Sequence, residues 1–194
     1  MTPLEFATRL REQFRDLIPE PVVFREEVTL TVTDAQRIVE VALHARDQLG
    51  FNFLLDLTGV DNYGTDPRWT VVYELYNLAA RAHLRLKTSV SEERSELPSV
   101  VSVWRTADWH EREAYDLLGI RFRGHPDLRR IIMWEGYPYF PLRKDFPLAG
   151  RPTTLPEVAF SNAAPLEGGP FVTTPGDLDA AAREPRVRNF GRES

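Results

Sequence analysis

Residues 69–87, WTVVYELYNLAARAHLRLK, decide the fold class of this chain. The first part, residues 69–76, is dense in β-branched and aromatic side chains, which favour strands. The second part, residues 82–87, alternates apolar and charged side chains, the pattern of a strand with one wet face. The stretch therefore predicts two consecutive strands of a sheet that buries one of its faces.

On the amino-terminal side of this stretch, the pattern predicts a strand, a helix, a hairpin and a first helix. Residues 51–60 have the composition of a mostly buried strand, followed by turn residues at 61–67. Thr33 and Gln36 have the spacing of a capping box and Gly50 supplies a stop, so we expect a helix between them. The remaining segments are a hairpin made by residues 22–24 and 28–32, and an amphipathic helix over residues 4–17.

On the carboxyl-terminal side, residues 91–98 are expected to form a charged loop and residues 99–104 a short helix. The next helix is better marked, because Asp108 can cap it, Glu111 completes a capping box and Gly119 ends it. The element order is then αββαβββαα, in which helices and strands are grouped. Grouping favours an α+β fold, a two-layer sandwich of a mostly antiparallel sheet with helices on one face.

The last quarter of the chain differs in composition from the rest. Residues 146–194 contain 7 of the 15 prolines and 5 of the 11 glycines, with little periodicity. Proline removes ladder donors and breaks helices, so a packed domain is not expected there. The sequence therefore predicts an α+β domain over residues 1–145 and an extended tail over 146–194. The tail carries scattered apolar side chains, which favours a tail ordered by a partner.

Composition excludes several classes of site. The 194 residues have a formal net charge of -5 and no cysteine, so disulfides, zinc–thiolate sites and cysteine-ligated iron–sulfur clusters are excluded. The longest apolar run is four residues, far short of the roughly 20 needed to span a bilayer, and no signal peptide is indicated. Glycine-rich phosphate loops, nucleophile elbows and zinc-protease motifs are missing. We therefore expect a protein of the cytosol that is not a free-standing catalyst.

The segment 105–145 is the most informative for function. It holds 8 Lys/Arg, 7 Asp/Glu and 7 aromatic residues in 41 positions, a composition favoured at protein interfaces. Arg112 and Asp116 are i, i+4 neighbours and are expected to pair. Charges bounded by prolines cannot be satisfied by regular secondary structure, so they need tertiary or partner contacts.

This segment resembles the signature of the C-subunit family of respiratory complex I, the proton-pumping NADH:quinone oxidoreductase. The matching positions run from Glu111 to Ile132 and continue in PLRKDFPL at 141–148. Upstream, GFNFLLDLTGVD at 50–61 and VVYEL at 71–75 are also similar, so the resemblance covers about residues 45–150. One departure is the Trp-Glu-Gly of 134–136, where relatives commonly have Pro-Glu-Asp, and this puts in doubt any contact made by the second acid.

The resemblance implies a scaffold subunit of the hydrophilic arm, peripheral on the cytoplasmic side of the bacterial membrane and attached to it only through the complex. It implies docking beside the quinone-site subunit (the D-subunit of the complex) and other arm subunits, with the tail wrapping its neighbours. It implies no cofactor in this chain, since FMN and the iron–sulfur clusters belong to other subunits. The residues carried over as partner-interface residues, not catalysts, are Glu111, Arg112, Glu113, Asp116, His125, Arg129, Arg143, Lys144 and Asp145.

Three alternatives stay open. A subunit of a membrane-bound hydrogenase-type complex would share the same signature. A metal-dependent enzyme would use His110, Glu113 and His125, although a lone His-x-x-Glu is frequent by chance. A nucleic-acid-binding module would use four arginines, Arg121, Arg123, Arg129 and Arg130, but the acidic balance opposes it.

Overall fold

The computed structural model describes residues 1–134 and 136–147, and residues 1–133 form one compact unit. The elements in chain order are α1 (Pro3–Gln13), β1 (Val22–Phe24), β2 (Glu27–Val32), a 3-10 turn (Ala35–Arg37), α2 (Ile38–Asp47), β3 (Phe53–Asp61), β4 (Trp69–Asn77), β5 (Ala82–Val90), β6 (Glu96–Pro98), α3 (Ala107–Leu118) and β7 (Arg121–Arg123). The predicted tail, except for its first two residues, lies outside the described residues. The predicted boundary at 145 and 146 therefore stays a prediction.

The main sheet has five strands in the order β1-β2-β5-β4-β3. The pairs β1–β2, β3–β4 and β4–β5 are antiparallel, whereas β2 and β5 run parallel. The alternation predicted for β5 is confirmed, since Ala82, Leu84 and Leu86 are buried and their neighbours are half-buried. The helices pack on the sheet, with α1 against β2 and β5 and α3 against β3. The predicted α+β class with a mostly antiparallel sheet is confirmed.

The beginning of α2 differs from the prediction. Thr33 does not cap it, because its hydroxyl donates to the carbonyl of Leu17 instead. The Asp34 side chain accepts from the Gln36 N–H and caps a 3-10 turn that leads into the helix. The predicted capping box is therefore wrong by one residue, because a long-range bond uses the threonine.

Three expectations for the segment before and within α3 are also wrong. Residues 96–98, predicted as loop, form β6, which pairs in parallel with β7, a strand that the sequence did not indicate. Residues 99–104 form turns, not a helix. The amino-terminal cap of α3 is Thr106, not Asp108, and it makes no side-chain cap bond. The predicted glycine stop is confirmed, since Gly119 adopts the left-handed conformation, φ 81°, that favours glycine.

The connection between β3 and β4 is fixed by a buried arginine. Arg68 makes two hydrogen bonds to Asp61, Nε to Oδ1 and Nη2 to Oδ2, both at 2.9 Å, and both side chains are buried. Its Nη1 also contacts Glu92. The guanidinium stacks on the rings of Tyr63 and Trp69, at 5.0 and 4.5 Å from the ring centroids. The charge of Asp61 is thus compensated inside the core.

Gly59 marks the closest approach between β3 and the end of α3. A Cβ at this position would lie 2.5 Å from Leu118 Cδ1 and 2.8 Å from Ile120 Cδ1. Both are far below ordinary van der Waals contact, and both side chains are in the core. The absence of a side chain at Gly59 is therefore what lets α3 lie close to the sheet.

We expect Gly59→Val to destabilise the chain by about 1–3 kcal/mol, because a branched side chain overpacks the core at Leu118 and Ile120. Valine favours strands, but the clash outweighs that preference. Denaturant unfolding of the full chain measures the change. Thr58→Val is the matched control, since Thr58 is exposed on the same strand and its substitution should stay within about 0.5 kcal/mol. Equal stabilities of the two variants would contradict the packing argument.

The second unit begins at Trp134 and is described up to Pro147 apart from residue 135. It contains a chain of neighbouring rings, Trp134 to Tyr137, Tyr137 to Tyr139 and Tyr139 to Phe146, with centroids 4.5, 5.6 and 6.0 Å apart. Across both units, the described helices include none that is long and apolar enough to cross a bilayer.

Candidate functional site

Asp116 is the centre of the contacts that hold residues 129–133 against α3. Its side chain is fully buried. Oδ2 accepts the backbone N–H groups of Ile131, Ile132 and Met133 at 3.0, 2.6 and 2.8 Å. Oδ1 accepts from Arg130 Nη1 at 2.7 Å. One carboxylate therefore fixes the backbone of three consecutive residues and pairs with the arginine before them.

The charged form of Asp116 is favoured by these contacts. Burial acts to raise the pKa of this carboxyl, but the three N–H groups and the Arg130 guanidinium outweigh it and hold the pKa below the usual aspartate range. The predicted pairing of Asp116 with Arg112 is wrong, because Arg130 takes the carboxylate instead.

Glu111 fixes the turn that precedes α3 in a similar way, by accepting hydrogen bonds from residues of that turn. Its fully buried carboxylate accepts the hydroxyl of Ser99 at 2.6 Å and the N–H of Val100 at 2.7 Å. The predicted capping box is thus wrong, since this side chain binds the preceding turn. Burial raises the pKa of Glu111 to about 7, and the nearby negative charge of Asp108 adds to the rise. The hydrogen bonds from Ser99 and Val100 act to lower this pKa but do not outweigh burial.

His125, in the turn after β7, completes a cluster of polar side chains that includes Glu111 and Asp116. Its Nδ1 accepts the N–H of Asp127 at 3.0 Å, so in the neutral ring the proton is on Nε2. Nε2 lies 3.2 Å from the Asp108 carbonyl, 3.3 Å from Asp108 Oδ1 and 4.0 Å from Glu111 Oε2. The ring is fully buried and bridges α3 to the turn that leads into residues 129–133.

The raised pKa of Glu111 predicts a pH dependence of stability. Between about pH 4.5 and pH 7 the folded chain holds a proton on Glu111 that the unfolded chain releases, so the contribution of this group to stability is fully present below pH 4.5 and is lost as the pH rises to 7. Each unit of pKa difference corresponds to about 1.4 kcal/mol. Glutamine has the shape of glutamate but does not titrate. We therefore expect Glu111→Gln to remove this fall in stability between about pH 4.5 and pH 7.

The effect is measured from the urea concentration at the midpoint of unfolding, for wild type and variant at pH 5.5 and pH 7.5. The difference between the two proteins should change between the two pH values. Glu113→Gln is the control, because Glu113 is exposed on the same helix. Parallel pH profiles for wild type and Glu111→Gln would refute the raised pKa.

Arg112 extends the cluster towards the surface. Its Nε and Nη2 donate to the backbone carbonyls of Arg129 and Arg130 at 3.2 and 3.4 Å. The guanidinium also stacks on the ring of Trp109, 5.0 Å from its centroid. Arg112 therefore holds the same segment as Asp116 does, through the carbonyl groups instead of the N–H groups.

The structure brings four of the nine predicted interface residues into this one cluster, and they are Glu111, Arg112, Asp116 and His125. Glu113 and Arg129 are exposed beside it, and Arg129 pairs with Asp127. The other three lie in the second unit, where Arg143 stacks on Phe140 at 4.4 Å and Lys144 and Asp145 are exposed. The interface role of all nine stays a prediction, since these contacts are within the chain.

The metal-site alternative receives no support from the described residues. His110 contacts Asp56 at 3.2 Å, His125 faces Asp108, and Glu113 is exposed. Within 1–134 and 136–147, no group of three or more potential His, Asp or Glu ligands could hold a metal ion. Three of the four arginines of the nucleic-acid alternative have partners within the chain, since Arg123 contacts Gln36 and Glu96, Arg129 contacts Asp127, and Arg130 contacts Asp116.

Sequence reasoning missed the partners of the two buried acids. Ser99 lies in a segment that the sequence predicts to be helical. Arg130 enters the sequence analysis only as a residue that could bind nucleic acid. Glu111 carried a usable signal, because it lies four residues after Ala107 and seven before Leu118, within the apolar stripe of the helix.

Comparisons with known proteins agree with this geometry. The family model described as respiratory-chain NADH dehydrogenase, 30 Kd subunit, matches residues 31–152. The NADH-quinone oxidoreductase C-subunit 2 of Rhizobium etli (strain CIAT 652) is 48% identical over 143 residues, 73% of this chain and 75% of that protein. The corresponding C-subunit of Geotalea uraniireducens (strain Rf4) is 46% identical over 142 residues, 73% of this chain and 86% of that protein.

Two solved structures are similar as well. A trypsin-resistant fragment of Nqo5 is 34% identical with a TM-score of 0.55, over 66% of this chain and all of the fragment. A chain of the membrane-bound sulfane sulfur reductase, an archaeal respiratory membrane complex, shares the fold, with a TM-score of 0.63 at 24% identity over 74% of this chain and 85% of that chain. The chain belongs to the respiratory-chain NADH dehydrogenase 30-kDa subunit family, that of the complex I C-subunit.

Proposed function

We propose that this chain is a non-catalytic scaffold subunit in the hydrophilic arm of NADH:quinone oxidoreductase. In this role it docks beside the quinone-site subunit and supports electron transfer from NADH to quinone coupled to proton translocation. FMN and the iron–sulfur clusters lie in other subunits, and the chain is peripheral on the cytoplasmic side of the membrane. The alternative within the same class is a subunit of a membrane-bound hydrogenase-type complex, which the identities of 46–48% to NADH-quinone oxidoreductase subunits disfavour.

The observation that carries the proposal is how the buried acids are used. A general acid or base must reach its substrate within hydrogen-bond distance. Asp116 and Glu111 are fully buried and bind backbone groups and a serine hydroxyl of their own chain. Their contacts fix the shape of a surface beside α3 that carries the exposed residues Glu113 and Arg129, which suits a docking role.

Assembly of the complex tests the proposal. The full chain is tagged in its host, the complex is purified from detergent-solubilised membranes, and the recovered quinone-site subunit and the NADH:quinone oxidoreductase activity are measured. We expect the charge reversals Arg129→Glu and Asp145→Lys together to reduce both several-fold. The matched control is Arg9→Glu with Glu12→Lys, two exposed positions on α1.

The melting temperature of the free chain, measured for both double variants, separates a loss of docking from a loss of folding. Full recovery of the quinone-site subunit with the first double variant would contradict this docking surface. Recovery of hydrogenase subunits in its place would favour the alternative complex.

The proposal also has residues 146–194 wrap neighbouring subunits. The end of this segment contains trypsin sites at Arg183, Arg186, Arg188 and Arg192. We expect trypsin to cleave them at least ten-fold more slowly in the purified complex than in the free chain, because partner surfaces cover them. Mass spectrometry of timed digests measures the rates, and equal rates would contradict the wrapping.

A further inference from the structure

We propose that Arg112 and Trp109 form a docking surface for a single carboxylate side chain of a neighbouring subunit. The Arg112–Trp109 surface is defined by Trp109, Arg112, Arg129 and Ile132. The inference rests on the proposed function, because it supplies the chemistry of one contact in the assembled complex.

Arg112 is a buried cation whose hydrogen bonds bring it no counter-ion. It is only 7% exposed, and its two hydrogen bonds go to neutral backbone carbonyls. Among the described residues no carboxylate lies within ion-pair distance of its guanidinium, since Asp116, one turn along α3, is taken by Arg130 and residues 131–133. Burying an uncompensated charge is costly. The buried Asp116, by contrast, is paired with Arg130.

The remaining donor of Arg112 faces outwards. Its Nη1 has no acceptor within the described part of the chain, and it is not enclosed, so it reaches the surface. Guanidinium groups bind carboxylates through a planar fork of donors. A carboxylate from outside would therefore supply both the missing acceptor and the missing charge.

An exposed aromatic ring lies beside the guanidinium, and an exposed isoleucine belongs to the segment that Arg112 holds. Trp109 is 62% exposed although its ring stacks on the guanidinium, and Ile132 is 52% exposed although its backbone is fixed by Asp116. Tryptophan and arginine are the residue types enriched at the energetic centres of protein interfaces. A buried arginine with an exposed tryptophan stacked on it thus has the composition of such a centre.

Charge complementarity limits what this surface can bind. Glu113 and Asp127 are exposed carboxylates of the same region, and they would repel a polyanion such as a nucleic acid or an anionic lipid surface. A single carboxylate carries only one charge, so its repulsion is much smaller than that of a polyanion and is offset by the pair with Arg112. The occupant is therefore an Asp or Glu side chain of a partner subunit.

The test uses Arg112→Lys in the purified complex. Lysine keeps the cation and introduces an amine that a zero-length carbodiimide couples to a contacting carboxylate. The natural chain has two lysines, Lys87 and Lys144, so a cross-link from position 112 is readily assigned by mass spectrometry. We expect a cross-link to an Asp or Glu of another subunit, and none from the control Arg9→Lys on α1. A cross-link to a carboxylate of this same chain, or to a second copy of it, would overturn the inference, as would no cross-link in an intact complex.

A second measurement needs no substitution. Hydroxyl-radical footprinting compares the oxidation of Trp109 in the free chain and in the wild-type complex, with the exposed Tyr63 as an internal reference. We expect at least ten-fold protection of Trp109 on assembly. If the other subunits are recovered and Trp109 stays as reactive as in the free chain, this inference fails while the proposed function stands. If no other subunit is recovered with the wild-type chain, both fail.

Discussion

Asp116→Ala is expected to lower the free energy of unfolding by about 3–5 kcal/mol. The substitution leaves the N–H groups of residues 131–133 without their acceptor and removes the counter-ion of Arg130. A domain of this size is typically stable by about 5–15 kcal/mol, so the loss is a large share of the total. Urea unfolding of the full chain measures it.

Two controls make this prediction specific to the buried carboxylate. Asp116→Asn keeps the shape and one acceptor oxygen, so it should lose less than the alanine variant. Asp127→Ala removes an exposed carboxylate that pairs with exposed Arg129, and should change stability by less than about 1 kcal/mol. A loss as small for Asp116→Ala as for Asp127→Ala would show that residues 129–133 are held by other contacts.

Arg68→Met is expected to lower the free energy of unfolding by a similar amount, about 3–5 kcal/mol. Methionine keeps the unbranched apolar stem of arginine but not its charged group, so the buried carboxylate of Asp61 would lose two hydrogen bonds and the positive charge beside it. The stacking of the guanidinium on Tyr63 and Trp69 is lost as well. The free energy of unfolding at neutral pH gives the measurement.

The double variant Asp61→Asn with Arg68→Met separates the orphaned charge from lost packing. It should be more stable than Arg68→Met alone, because the buried negative charge is then removed together with the positive charge of Arg68. Arg94→Met, at an exposed position of the following loop, is the surface control. If the double variant were less stable than the single one, packing and not charge would dominate at this position.

The strands of the main sheet were predictable because their patterns are local. The alternation of β5, the apolar density of β4 and the charged turn of the β1–β2 hairpin each depend on neighbouring residues, and all three elements are confirmed. The errors fall where a distant residue competes for a polar group. Thr33 binds Leu17, and Glu111 binds Ser99, so neither acts as the cap that its local spacing indicates.

The candidate site shows the same division. The resemblance groups Glu111, Arg112, Asp116 and His125 with five other residues, and the structure places these four together. The sequence did not indicate that the acids bind backbone groups, because almost every residue has a backbone N–H and the sequence does not show which of them will be used. β6 and β7 were missed for a related reason, because three-residue strands with a parallel partner carry almost no periodicity.

The parallel pairing of β2 with β5 sets the order in which the chain can fold as it is synthesised. The bond between Val32 and Thr88 joins residues 56 positions apart, so at roughly 5–20 residues per second the partner of β2 follows it by about 3–11 s. A hairpin such as β1–β2 alone is marginally stable in water, whereas β3, β4 and β5 form sequential hairpins. β3 and β4 can therefore pair before β5 is complete, whereas the β1–β2 hairpin, although it leaves the ribosome earlier, can join the sheet only once β5 has been synthesised.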